Sequence, residues 1–276
     1  MMPRVAALCE VQWCNSEQKN YASFLDRTFR LTDVYDHYKW KYATHVFDVD
    51  AKIQPNIKEK CIDIELSKYG DGDIYYTLDS GDPKESGRKY TKPLHIKNSC
   101  DFKAVVKREK GFGKTFSSEI RLSKSSMKPI TLERQPHKNY AFNGGQTLID
   151  GLVGSSNYKT GRWIGFWGEP LDAIIDLERS EIITDVKFNV NVIMGDWMYN
   201  AKRVVVSGSE DGNNFREIIS FDFPMAKKDG ITNVGLKFQP VKARYVKVHA
   251  EPFDLPEGHL GYGYPAWLFV DEIQVF

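Results

Sequence analysis

The sequence predicts a mainly β protein: a short helical lead, a small β-sandwich, then a larger two-sheet jelly roll. Three observations predict it. Apolar residues recur at helical spacing only near the start, at Tyr21, Phe24, Leu25, Thr28, Leu31, Tyr35 and Tyr38. Beyond residue 45, short runs rich in Val, Ile, Phe and Tyr alternate with turn residues. Eight or so such runs follow residue 130, the strand density of a jelly roll.

The elements follow in order. Residues 1–13 read as a helix with Pro3 in the first turn, where its missing N–H costs nothing. A second helix is expected to start at once, with Asn15 as N-cap and Gln18 three residues on. Residues 1–44 thus form a helical segment whose apolar stripe has nothing before it to cover it. Residues 45–122 carry strands expected at 61–66, 74–78, 94–96, 102–107 and 117–122, a sandwich of roughly immunoglobulin size. The turns between them are Asp71-Gly72, Gly81-Asp82-Pro83 and Gly111-Phe112-Gly113. Residues 123–129 (SKSSMKP) are a polar linker. In 130–276, strands are expected at 173–177, 186–190, 204–209, 215–219, 234–238, 245–250 and 268–276. Val246, Val248 and Ala250 alternate with Tyr245, Lys247 and His249, as a half-buried strand requires.

Composition narrows the function. Hydrophobic residues make up 41% of the 276 and charged residues 27%, enough for a core and too apolar for wholesale disorder. The net charge of +1 gives no electrostatic reason for a nucleic acid or membrane-surface partner. No apolar run reaches the roughly 18 residues of a membrane span. Met1 leads into a helix rather than a basic segment and an apolar stretch, so no signal peptide is expected here. Cys9 and Cys14 have no metal-ligand spacing; Cys61 and Cys100 share one β-region, which leaves open a cross-strand disulfide or two reduced thiols.

Three stretches carry resemblances. IYYTLDSGDPKESGRKY (74–90) resembles the small C-terminal β-domain of bacterial β-hexosaminidases and chitobiases. TLIDGLVGSSNYKTGRWIGFWG, LDAIIDL, SGSEDGNNF, ARYVKV and FVDEIQVF resemble, in order, the discoidin-like domain of coagulation factors V and VIII, also the fold of family-32 carbohydrate-binding modules. MPRVAALCEVQW, YASFLDRTFRL and YATHVFDV are similar to the last helices of the (β/α)₈ barrel of family-20 β-N-acetylhexosaminidases. The resemblances imply a helical barrel remnant, an immunoglobulin-like domain and a discoidin-like domain. The helical stripe would then face the outer wall of a barrel.

The hexosaminidase resemblance also implies an Asp-Glu pair: Glu as general acid, Asp orienting the substrate's own acetamido group as nucleophile. That pair belongs upstream of the family's final helices. The one Asp-Glu step present, Asp271-Glu272, sits in a predicted strand, where neighbours point to opposite faces. No catalytic residue is therefore assigned, and the chain alone is expected to be inactive. Catalysis implies no cofactor. The discoidin-like resemblance implies a structural Ca²⁺ held by Asp150 and Glu272 with main-chain carbonyls, although the loop to Trp163 is longer than usual. The alternative roles are a turn cap for Asp150 and a salt bridge for Glu272.

Loop aromatics and polar residues suggest a sugar platform, with rings for C–H faces and polar groups for hydroxyls. The candidates are Arg162, Trp163, Phe166, Trp167, Asp196, Trp197, His259, Tyr262 and Tyr264. Packing is the competing role for each ring. The expected partners are glycans containing N-acetylhexosamine or galactose-type sugars, together with self-association through the N-terminal helices. Three functions stay open: accessory region of a hexosaminidase-like hydrolase, self-standing carbohydrate-binding or adhesion module, or structural buttress of a barrel. Family habit implies an exported bacterial protein, periplasmic or at the cell surface.

Overall fold

Two helices lead the chain in this computed structural model, which describes residues 2–109 and 111–276. They are α1 (Arg4–Trp13) and α2 (Tyr21–His37). Asn20, not Asn15, caps α2, its side chain accepting from the Ser23 amide at 2.9 Å. Asn15 precedes only a 3₁₀ turn, Ser16–Gln18, and makes no side-chain cap bond. The spacing misled because Asn20 and Asn15 both offer an amide oxygen, but only Asn20 is followed by an unbroken helical run.

The chain folds as two units. The first gathers Met1–Gln54, Asp63–His95 and Cys100–Ser118; the second gathers Pro55–Ile62, Ile96–Ser99 and Glu119–Phe276. In the first unit, α2 lies on β-structure. Phe29 meets the edge of Phe47 at 5.4 Å, and a Cβ at Gly70 would stand 3.0 Å from the Phe29 ring. The Tyr69 hydroxyl donates to the Ala22 carbonyl and to Asp26. Arg108 donates to the Phe47 and Tyr69 carbonyls, both at 2.7 Å. Thr28, Thr32 and Tyr35 are buried. Part of the helical stripe is thus covered from within its own unit, while Trp13 (86% exposed), Tyr21 and Tyr38 stay open.

The strands up to residue 120 are β1 (Asp50–Asn56), β2 (Cys61–Ser67), β3 (Asp73–Thr77), β4 (Arg88–Lys89), β5 (Leu94–Ile96), β6 (Cys100–Arg108), β7 (Gly111–Phe112) and β8 (Phe116–Ile120). They form one sheet in the order β1-β2-β5 and another in the order β4-β3-β6-β7, with β8 also on β6. The turn at Asp82-Pro83 becomes a single helical turn, α3 (Pro83–Ser86). Asp82 accepts from the Lys84 amide, and Pro83 fills the first helical position. Cys61 opens β2 and Cys100 opens β6, so they start strands of different sheets.

The second unit is an eight-stranded arrangement around one core. Its strands are β9 (Ile130–Leu132), β10 (Ile164–Trp167), β11 (Leu171–Val192), β12 (Arg203–Ser209), β13 (Arg216–Asp222), β14 (Gly230–Glu251), β15 (Trp267–Val270) and β16 (Gln274–Val275). The order is β10-β15-β11-β14-β12-β13, with β9 and β16 also on β11. Strands expected at 173–177 and 186–190 are one continuous β11, and those at 234–238 and 245–250 are one β14. The two run antiparallel from Leu171↔Ala250 to Val192↔Gly230, with irregularities between Asp176 and Glu181 and between Ile183 and Asp185. These shift the parity of burial. Leu171, Ala173, Ile175 and Leu177 point inward, then Val186, Phe188, Val190 and Val192.

The last strand, expected as 268–276, breaks at 271–273. Asp271 and Glu272 are both wholly buried there, so alternation fails. The Ile273 amide donates instead to the Leu148 carbonyl. Residues 123–125 run beside this end. The Lys124 amide donates to the Val275 carbonyl at 3.0 Å, and the Ser125 hydroxyl to the Ile273 carbonyl at 2.6 Å.

Candidate functional site

Two groups of residues in the second unit stand out. The first is an acidic cluster below the 151–163 loop. Asp150 follows the 3₁₀ turn Gly144–Leu148, and its Oδ1 accepts from the Leu152 amide at 2.9 Å, so it does cap a turn. Glu272 Oε2 accepts from the Gly151 amide at 2.9 Å, whereas its Oε1 is buried without a hydrogen-bond partner. Asp271 is saturated: it accepts from the Asn189 amide, the Asn189 side chain and the Gly154 amide, all within 3.0 Å. Arg162 Nη1 stands 3.7 Å from Asp150 Oδ2.

Burial dominates the electrostatics. It pushes the Asp150 carboxyl up to about 7, against the lowering effects of Arg162 and the Leu152 amide. It likewise lifts Asp271 to about 7 and Glu272 well above the carboxylate range. Arg162 is itself lowered by burial, with Asp150 and Glu272 holding its charge in place.

A calcium ion takes six to eight oxygens at roughly 2.3–2.6 Å. Asp150, Asp271 and Glu272 do not bring one oxygen each within 4.8 Å of one another among the described residues. What the structure places beside Asp150 is a fixed organic cation, the Arg162 guanidinium.

The second group is a ridge of aromatic loop residues. Trp167 stacks on Trp197, with ring centres 6.2 Å apart at 22°. Trp267 lies 4.8 Å from Trp167. His259 meets Trp197 edge-on at 5.8 Å, and Tyr264 lies 6.4 Å from the same indole. Trp197 ends a 3₁₀ turn, Met194–Asp196, in the left-handed region at φ 63. A bulky residue in that conformation carries backbone strain. Gly261 allows the 256–264 loop to reach it, since a Cβ there would stand 3.0 Å from the Trp197 ring. The Gly261 amide donates to His259 Nδ1 at 3.0 Å, which leaves Nε2 as the nitrogen that donates. Tyr262 (65% exposed) and Tyr264 (61%) project from this loop.

Some of the expected sugar-site residues gather on this ridge and others lie elsewhere. Trp167, Trp197, His259 and Tyr264 come together, and Tyr262 shares their loop. Asp196 accepts from the Tyr158 hydroxyl at 3.2 Å. Trp163 and Phe166 are wholly buried and closed to a ligand, so both are corrected to core. Trp163 packs over Gly154 and donates from Nε1 to the Ser155 carbonyl at 2.8 Å; Phe166 belongs to the strand-lined core. Arg162 turns to the acidic cluster. Trp267 is half-buried and contacts His137 and Tyr140 edge-on. His137 and Tyr140 escaped the sequence reading, although PHKNYAF pairs a His with aromatics in a loop.

The comparisons with known proteins bear on both units. The model of the family described as Fn3 associated matches residues 62–120. No curated protein matches the chain. Among solved structures, CpGH89CBM32-5 from Clostridium perfringens, in complex with GalNAc-β-1,3-galactose, is 24% identical, with 54% of this chain and 94% of that one covered and a TM-score of 0.36. Chitosan-binding module 1 of a Paenibacillus sp. IK-5 chitosanase/glucanase is 18% identical, covers 56% and 98%, and has a TM-score of 0.37. A fucose-binding module of Streptococcus pneumoniae is 19% identical, covers 56% and 95%, and has a TM-score of 0.38. The F5/8 type C domain model matches residues 124–259, and on that match the second unit carries a discoidin-like F5/8 type C domain.

Proposed function

We propose that the second unit binds glycans on the ridge of Trp167, Trp197, His259, Tyr262 and Tyr264. The observation that carries this is Trp197, held in the left-handed region with its indole stacked on Trp167. Flat rings accept the C–H faces of a pyranose, and His259 Nε2 supplies a donor for a hydroxyl. The sugar class is N-acetylhexosamine or galactose-type. Titration calorimetry of the full chain with galactose, N-acetylgalactosamine and N-acetylglucosamine tests it. Saturable binding to one of them is expected, weakened at least tenfold by Trp197→Ala, equivalent to about 1.4 kcal/mol. Unchanged affinity in a folded variant would remove the ridge from the site.

The resemblance of the opening helices and of 74–90 to hexosaminidases supports an accessory role in a β-N-acetylhexosaminidase-like hydrolase. This chain is expected to turn over no aryl N-acetylglucosaminide, because its Asp271-Glu272 step is wholly buried. Hydrolysis that Glu272→Gln abolished while leaving the fold intact would refute that reading. The accessory role also supports export to the periplasm or cell surface.

A further inference from the structure

We propose that the Arg162 guanidinium is the resident cation of the Asp150–Glu272 pair, standing where a divalent ion would otherwise be required, so that this domain folds independently of calcium. The placement is built rather than incidental. Trp163, the next residue, is locked by its indole on Gly154 and its bond to the Ser155 carbonyl, which fixes the backbone from which Arg162 reaches inward. Nη1 arrives 3.7 Å from Asp150 Oδ2, the oxygen that the Leu152 amide does not use. Glu272 keeps one oxygen on the Gly151 amide and leaves the other buried and unpartnered. A wholly buried side-chain oxygen without a hydrogen-bond partner is rare and calls for an explanation in its surroundings. Among the described residues the cation paired with Asp150 is Arg162, which is also attracted to Glu272. A dication entering the same space would meet a guanidinium that cannot lose its proton. The long 151–162 loop gains a reason: it carries a cation of its own into the cluster.

The test is thermal unfolding of the full chain in a chelator and in millimolar calcium chloride. The wild-type midpoint is expected to be the same in both. Arg162→Gln is expected to unfold about 10 °C lower in chelator, as breaking a buried pair predicts, and to recover part of that loss in calcium. Arg162→Lys should keep the wild-type indifference to calcium, since the charge remains. A wild-type midpoint that rises saturably with calcium, and stops rising in Asp150→Asn, would overturn the proposal. So would an Arg162→Gln variant as stable as wild type in chelator. If Arg162→Gln does not fold, the wild-type calcium titration and Arg162→Lys still decide the matter.

Discussion

Trp163 stands on Gly154 because no other residue leaves its indole room. A Cβ at position 154 would lie 2.2 Å from the ring, and the indole is rigid and wholly buried, so the clash cannot be relieved by a flexible tip. Gly154→Ala is therefore expected to lose about 1–3 kcal/mol by overpacking, read as a lowered thermal midpoint of the second unit. An unchanged midpoint would mean that the ring has freedom the packing denies it. The sequence shows Trp163 as an aromatic among loop residues, and from that alone it reads as sugar-facing. Its burial depends on Gly154 and the Ser155 carbonyl, which lie eight or nine residues upstream and come under the ring only when the loop folds. Asp150 and Glu272 were legible as a pair for a different reason: a motif names them. The cation beside them was not, because Arg162 sits in the same GRWIGFWG stretch as the ridge candidates.

At the scale of elements, the paired long strands β11 and β14 explain why strand existence was readable and strand continuity was not. The alternation of 171–177 and of 186–192 is clear in the sequence, but the stretch between holds Glu178, Arg179, Ser180 and Glu181, which reads as a loop. Glu178 adopts φ 67, and its amide donates to Asp176 Oδ1 at 2.8 Å, so the ladder bends there without ending. Asp176 also accepts twice from Arg244, at 2.9 Å each, tying the bend to β14. Hydrogen bonds from Arg244 hold the Asp176 carboxyl below its ordinary value, opposed in part by burial and helped by the Glu178 amide. The sign follows. A carboxyl lowered in the fold adds stability that is complete above the unfolded value of about 3.9 and disappears as pH falls through the folded one. Asp176→Asn should thus lower the thermal midpoint at pH 7, and its gap from wild type should close toward pH 2. A gap that stays constant across that range would detach Asp176 from acid unfolding.

For the molecule as a whole, both units leave some large apolar side chains in water, the second at Phe142, Ile182, Phe221 and Leu260 among others. The second closes its core with residues of eight strands, and no helix among the described residues is long and apolar enough to cross a membrane. The first leaves Leu8, Val11, Trp13, Tyr21, Tyr38 and Trp40 exposed on or beside its helices. Patches of this kind are rarely left in contact with water. The chain is expected to self-associate with concentration, and Leu8→Gln with Trp13→Ser to weaken that association in sedimentation equilibrium. A wild-type chain that stays monomeric at high concentration would show that this surface is tolerated by water after all. The helices themselves were legible from their spacing. What covers α2 was not, because Phe47, Gly70 and Arg108 lie far along the chain from Phe29.

The ties of residues 124 and 125 to residues 273 and 275 place the two ends of the stretch 124–275 side by side. A module whose two doors open on the same wall can be spliced into a surface turn of an unrelated scaffold without stretching either. Its aromatic ridge would travel with it as a portable cassette.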